Sequence, residues 1–162
     1  MIILSLQSCN NDSYDKIDAK AMVVSAHPLA SDVGIAVLKK GGNAADATIA
    51  VQFALAVVYP SAGNIGGGGF FVYRSNKGNY STLDYREKAP LKSSKEMYLD
   101  ENGDIIKGLS MIGAMSIGIP GTIAGVFEVH QKFGSLPIED IFAPVIQLAN
   151  KGVIVTKKQS EK

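Results

Sequence analysis

The stretch Asn43–Phe71, NAADATIAVQFALAVVYPSAGNIGGGGFF, runs from a helix-start signal through four consecutive glycines into two aromatic residues. Its order is helix, then loop, then strand. Asn43 stands where a helix N-cap belongs. Asp46, three residues on, completes capping-box spacing and places a carboxylate at the positive end of the helix. Between Ala44 and Val58 only Asp46, Thr48 and Gln52 are polar, so this helix is apolar nearly all round and belongs inside a core. Pro60 closes it before the run reaches the roughly 18 apolar residues that a membrane span requires.

Gly66 to Gly69 then need a reason, because each glycine in regular structure costs roughly 0.5–1 kcal/mol relative to alanine. A phosphate cradle is excluded: a P-loop wants Lys and a hydroxyl after its last glycine, and Phe70-Phe71 follow here. The dinucleotide pattern G-x-G-x-x-G fails as well, with Phe71 or Val72 where its third glycine would stand. Both phosphate motifs also lead into a helix N-terminus, whereas this loop leads into a strand. Two readings remain, a tight reversal that packs the strand against the buried helix and a backbone surface lining a site. The residues by themselves favour the first.

Outward from this stretch, residues 29–40 carry apolar spacing and a basic last turn before Gly41-Gly42, which predicts a first helix. Phe70–Ser75 and Tyr80–Tyr85 flank Asn76-Lys77-Gly78-Asn79 and predict an antiparallel hairpin. Asp100–Asp104 reads as a second turn. Gly121–Phe133 reads as a helix with Ile123, Val126, Phe127 and His130 on one face, ended by Gly134. Ile138–Lys151 has similar spacing, and Pro144 inside it predicts a kink or two shorter pieces. After Gly152 no closing element is expected.

The chain carries 16 basic and 15 acidic residues, so no electrostatic footprint points to nucleic acid or an anionic membrane. Cys9 is the single cysteine, which excludes an intrachain disulfide and any CxxC pair. Met1–Cys9 is a short apolar run ending Leu-x-Ser-Cys and resembles a bacterial lipobox, with Asn10–Ser13 as a polar tether. On that reading Cys9 is lipidated, residues 1–19 are signal and tether, residues 20–162 form the folded portion, and the location is periplasmic or membrane-anchored. His27 and His130 lack metal-ligand spacing, so neither a metal nor a cofactor is expected. Ala114-Met115-Ser116-Ile117-Gly118 mimics a nucleophile elbow, but Pro120 biases Ile119 away from the helix that an elbow must enter.

The segments LKKGGNAADATIA, VVYPSAGNIGGGGFF, LDYREKAP, SIGIPGTIAG and KFGSLP follow one another in an order that resembles the N-terminal portion of the γ-glutamyltransferase large subunit, over about residues 20–156. The resemblance implies an α+β fold, specifically part of the αββα sandwich of the N-terminal nucleophile hydrolases. It implies a precursor that cuts itself into a large and a small subunit, whose new N-terminal threonine is nucleophile and, through its amine, base. It implies that Arg86 holds the α-carboxylate of a γ-glutamyl donor such as glutathione, which suits a planar guanidinium with parallel donors. Judged without the resemblance, Arg86 would more simply be an ion-pair partner of Glu87 or Asp84. None of Thr48, Thr82, Thr122 and Thr156 lies in a segment resembling the family's cleavage site. The expectation is therefore that this chain contributes no catalytic residue, is inactive alone, and pairs with the remainder of the large subunit and the small subunit. The rival expectation is a non-catalytic remnant or a binding or structural module.

Overall fold

The computed structural model describes residues 20–161; the expected signal and tether, with Cys9, lie outside them. Helices α1 (Pro28–Lys39) and α2 (Ala44–Val58) are followed by a hairpin of β1 (Phe70–Arg74) and β2 (Tyr80–Asp84), and then by α3 (Thr122–Phe133), α4 (Ile138–Lys151) and the short α5 (Lys157–Ser160). None of these helices is long and apolar enough to cross a membrane.

Helix α2 is the centre of the assembly, as its near absence of polar residues requires. It packs against α1, α3 and α4. Ile49, Ala50, Ala54 and Val58 are sealed from solvent and meet Val37, Val126 and Ile141 in one core. The alanines let neighbouring helices approach, and Phe53 meets Phe142 edge to face at 4.8 Å. The capping box at Asn43 is complete: its side chain accepts from the N–H groups of Ala45 and Asp46, and Asp46 accepts from the Asn43 N–H.

The hairpin pairs Phe70 with Asp84, Val72 with Thr82 and Arg74 with Tyr80, and Gly78 takes positive φ in the turn. Strand alternation sends Phe71, Tyr73 and Leu83 to the core, where Phe71 and Tyr73 pack on Phe133. The alternate residues Phe70, Val72 and Tyr80 face outward and stay exposed. Among the described residues these two strands are the whole sheet, so the α+β assignment stands at the level of helices packed on one face of a hairpin.

Two expectations need correction, and a third, at Pro144, loses its two-piece alternative. The buried face of α3 is Thr122, Gly125, Val126 and Val129, while Ile123 and Phe127 are exposed; the face is rotated toward its glycine for a reason found in the site below. Helix α4 runs as one element through Pro144. The missing amide of Pro144 costs one intrahelical bond, but Ile141 and Val145 on either side are both buried, and that packing keeps the helix in one piece. Finally, the segment after Gly152 does form a short closing turn: Thr156 caps α5, and the Gln159 amide donates to the Val58 carbonyl at 2.9 Å.

Candidate functional site

The motifs read in the sequence resolve into two clusters in space. The first is structural. Asp46 and Asn43 at the start of α2 reach the turn between α3 and α4: the Ser135 N–H and hydroxyl donate to Asp46 at 3.0 and 2.6 Å, and the Asn43 amide donates to the Phe133 carbonyl at 2.7 Å. Burial alone would raise the Asp46 pKa, but the donors from Ser135, Asn43 and Leu136 outweigh it and hold the carboxyl below its usual range.

The second cluster joins the glycine run, the DYREK segment after β2, and the start of α3. Asn64 accepts from the Gly67 N–H at 2.8 Å and from the Thr122 hydroxyl at 3.0 Å. The Gly67 carbonyl takes the N–H groups of Gly121 and Thr122, so the first donors of α3 are spent on the loop and not offered to an anion. The Gly69 carbonyl accepts from Tyr85, and Lys88 and Ile119 exchange backbone bonds in both directions. The DYREK backbone is thus held between the other two segments.

This geometry explains most of the glycines. None of Gly66 to Gly69 has positive φ; what they supply is close approach. A Cβ on Gly68 would stand 2.6 Å from the Tyr85 carbonyl oxygen and 2.8 Å from the Arg86 Cα, and one on Gly69 would stand 2.9 Å from the Tyr85 ring. On the opposite side, a Cβ on Gly121 would overlap the Tyr85 carbonyl, and one on Gly125 would overlap the Tyr85 ring. Tyr85 is therefore seated among four glycines from two segments, and its burial pushes the phenol pKa up. This seat is also why α3 turns Gly125 inward. Nothing lies within 4 Å of a Cβ on Gly66, which the packing leaves unexplained.

Directly after this anchored tyrosine comes Arg86. Its N–H donates to the Asp84 carboxylate at 2.9 Å, and its Nε donates to Glu87 at 3.0 Å. Its guanidinium carbon lies 5.8 Å from the centre of the Phe70 ring. The side chain is 60% exposed and lines an open cavity of about 300 Å³ with Leu83, Lys88, Pro120 and Glu128. Both partners named from the sequence, Asp84 and Glu87, do engage Arg86, through its backbone N–H and its Nε, and no hydrogen bond to its two terminal nitrogens is present among the described residues. The glycine seat for Tyr85 was missed in the sequence; the one available signal was Gly121-x-x-x-Gly125, which puts a second glycine one turn into a helix where alanine would be the better former. Both histidines prove local: His27 caps α1 through the Leu29 N–H, and His130 bonds the Leu136 carbonyl. Ser116 sits in a single turn of 3₁₀ helix, its hydroxyl donating to Gly113, and leads into extended backbone and not into an elbow helix.

A partly exposed guanidinium just past a strand end, on backbone packed against glycines, lines an open cavity in an α+β fold. The family model for gamma-glutamyltranspeptidase matches residues 30–162. The glutathione hydrolase proenzyme of Pseudomonas sp. strain A14 is 50% identical over 134 residues, covering 83% of this chain and 23% of that protein. The Escherichia coli K12 glutathione hydrolase proenzyme is 43% identical over 145 residues, covering 89% and 25%. The crystal structure of Helicobacter pylori gamma-glutamyltranspeptidase superposes with a TM-score of 0.80 at 47% identity, covering 87% of this chain and 40% of that one. The chain belongs to the gamma-glutamyltranspeptidase family, a family of enzymes, and spans about a quarter of the length of these proenzyme relatives.

Proposed function

We propose that this chain is the first part of the large subunit of a γ-glutamyltransferase, an enzyme that transfers or hydrolyses the γ-glutamyl group of glutathione and related compounds, and that Arg86 anchors the α-carboxylate of the donor. The carrying observation is the arginine itself: an exposed side chain that lines the cavity, on backbone held by the Tyr85 seat, with its terminal nitrogens in no hydrogen bond among the described residues. A carboxylate there accepts two charge-assisted hydrogen bonds, which orient the donor as well as bind it. The reacting γ-amide is then presented to a threonine nucleophile supplied by the small subunit, activated by its own amine, and the acyl group passes to water or an acceptor amine.

The exposed strip of Phe70, Val72 and Tyr80 supports the same assembly, since apolar area on an open hairpin is what further strands and a second layer of an αββα sandwich would cover. Export with lipidation at Cys9 completes the proposal, on the strength of the Leu-x-Ser-Cys sequence.

The test uses a complete enzyme, in which this chain is supplied with the remaining length of the family's precursor. Arg86→Ala is expected to raise the donor KM about 30- to 100-fold, or about 2–3 kcal/mol, as for loss of one partner of a charge pair. Arg86→Lys, which keeps the charge but not the fork, recovers only part of that. Donor kinetics unchanged in Arg86→Ala would remove the assigned role.

A further inference from the structure

We infer that Asn64 is a positioning residue for the donor site: its side-chain oxygen joins the glycine run to the start of α3 and so sets the spacing of the two walls that grip Tyr85 and the base of Arg86. The inference rests on the reading of Arg86 given above and deepens it.

Four hydrogen bonds make the junction. The Asn64 Oδ1 accepts from the Gly67 N–H at 2.8 Å and from the Thr122 hydroxyl at 3.0 Å. The Gly67 carbonyl in turn accepts from the N–H groups of Gly121 and Thr122 at 2.8 and 3.0 Å. Gly67 also settles which end of the carboxamide is oxygen, because a backbone N–H can only donate. Thr122 is fully buried, so without Asn64 its hydroxyl has no water to turn to. Asn64 and Thr122 stand 58 positions apart in the chain, and their bond therefore fixes a tertiary distance. Gly67 lacks a side chain for the same reason. A Cβ there would overlap the Asn64 Oδ1 and stand 2.7 Å from its Cγ, since the carboxamide lies directly against it. At Gly68 and Gly121 the obstacle is backbone. At Gly67 it is the tip of a side chain, so alanine there would push the amide aside and break its bonds.

The junction closes one end of a clamp. Gly68 and Gly69 meet the Tyr85–Arg86 segment from the loop, and Gly121 and Gly125 meet Tyr85 from α3. Gly68, next in the chain to Gly67, is so close to the segment that its Cβ would stand 2.8 Å from the Arg86 Cα. A change in the spacing of the two walls therefore passes directly to the base of the Arg86 side chain. A carboxylate held by two parallel hydrogen bonds is sensitive to such a shift, because both donors must stay in register with its oxygens. The α-carboxylate of a γ-glutamyl donor is several bonds from the amide that reacts, and its contact is made alike in ground and transition states. Loosening that contact reads in KM more than in kcat.

In the complete enzyme, assayed well below its thermal midpoint, Asn64→Ala is expected to raise the donor KM about five- to tenfold with kcat within about twofold of the parent. Asn64→Asp, which keeps an acceptor for the Gly67 N–H and the Thr122 hydroxyl, is expected to recover most of that loss. Gly67→Ala leaves Asn64 in the sequence but displaces its amide, and should raise KM by a similar factor. The Asn64→Ala, Gly67→Ala double variant should be no worse than either single one, because both remove one junction. In an Arg86→Ala background, Asn64→Ala should add less than about twofold. A lowered thermal midpoint with the donor KM unmoved would assign Asn64 to folding only and overturn the inference. So would the full effect persisting without Arg86, or the two single effects multiplying in the double variant. Should Asn64→Ala fail to fold, Gly67→Ala carries the same comparison. The two readings separate cleanly. If Arg86→Ala leaves the donor KM unchanged, the anchor itself fails; if Arg86→Ala raises it and neither Asn64→Ala nor Gly67→Ala does, the anchor stands and the positioning role alone falls.

Discussion

Replacing Asp46 by alanine is expected to lower the unfolding free energy by about 3–5 kcal/mol. The carboxylate is fully buried and accepts from the Asn43 N–H, the Ser135 N–H and the Ser135 hydroxyl. Alanine takes the acceptor away from two backbone donors, on half-buried Asn43 and exposed Ser135, at about 1–3 kcal/mol each, and removes half of a capping box worth about 1 kcal/mol. Asp46→Asn should cost less, since one oxygen remains, but its amide NH₂ then faces donors. The effect carries a pH signature. The folded-state pKa lies below the unfolded value, so folding favours the ionised form; that stability is fully present above the unfolded pKa, about 4, and fades as pH falls through the depressed folded value. Urea unfolding of the chain at pH 7 and at several points below pH 5 measures both. A loss under about 1 kcal/mol in Asp46→Ala, or an acid slope unchanged in Asp46→Asn, would show that this network is not what joins α2 to the α3–α4 turn.

That network also shows how far the sequence could be read. The Asn43–Asp46 capping box is local chemistry and was legible from three-residue spacing alone. The long-range half, with Ser135 reaching Asp46, was not: it depends on where the α3–α4 turn lands, and KFGSLP carries no signal naming its partner. The hairpin was legible for the same local reason, two β-rich runs around a glycine turn. The α3 face was misread because apolar periodicity counts Ile123 and Phe127 as core, whereas the deciding feature is the volume of Tyr85, which only the Gly121 and Gly125 side can admit. At Pro144 a division into two pieces does not occur, since burial of Ile141 and Val145 outweighs one lost hydrogen bond. For the glycine run, close packing is what the structure shows: Gly68 and Gly69 lie against the DYREK segment, which carries Arg86. The family was legible from the order of five short motifs. The clustering of three of them around Arg86 was not, because order along a chain does not state proximity in space.

The same clustering makes Gly121 the position where stability and recognition should fall together. Gly121→Ala is expected to cost about 3 kcal/mol or more. Its Cβ meets the carbonyl oxygen of Tyr85 and, at 3.0 Å, that of Arg86, and backbone atoms tied into ladders cannot rotate away as a side-chain tip can. Relief requires α3 to move from the DYREK segment, which would break the bonds from Gly121 and Thr122 to the Gly67 carbonyl, or the DYREK segment to move from α3, which would swing Arg86 off its pose. Overpacking typically costs about 1–3 kcal/mol when side chains can adjust, so a backbone obstacle belongs at the upper end. Gly125→Ala meets the root of the Tyr85 side chain, its Cγ and, at 2.5 Å, its Cβ, so the gain of up to about 1 kcal/mol in helix propensity offsets only part of the cost. Gly66→Ala is the control: its Cβ has nothing within 4 Å and its φ is not positive, so its effect should stay within about 0.5 kcal/mol. Measured side by side in a complete enzyme, Gly121→Ala should lose both thermal midpoint and donor affinity, and Gly66→Ala neither. Equal tolerance of alanine at the two positions would mean that the contact between α3 and the DYREK backbone is not what holds Arg86, and that its pose is set by the loop alone.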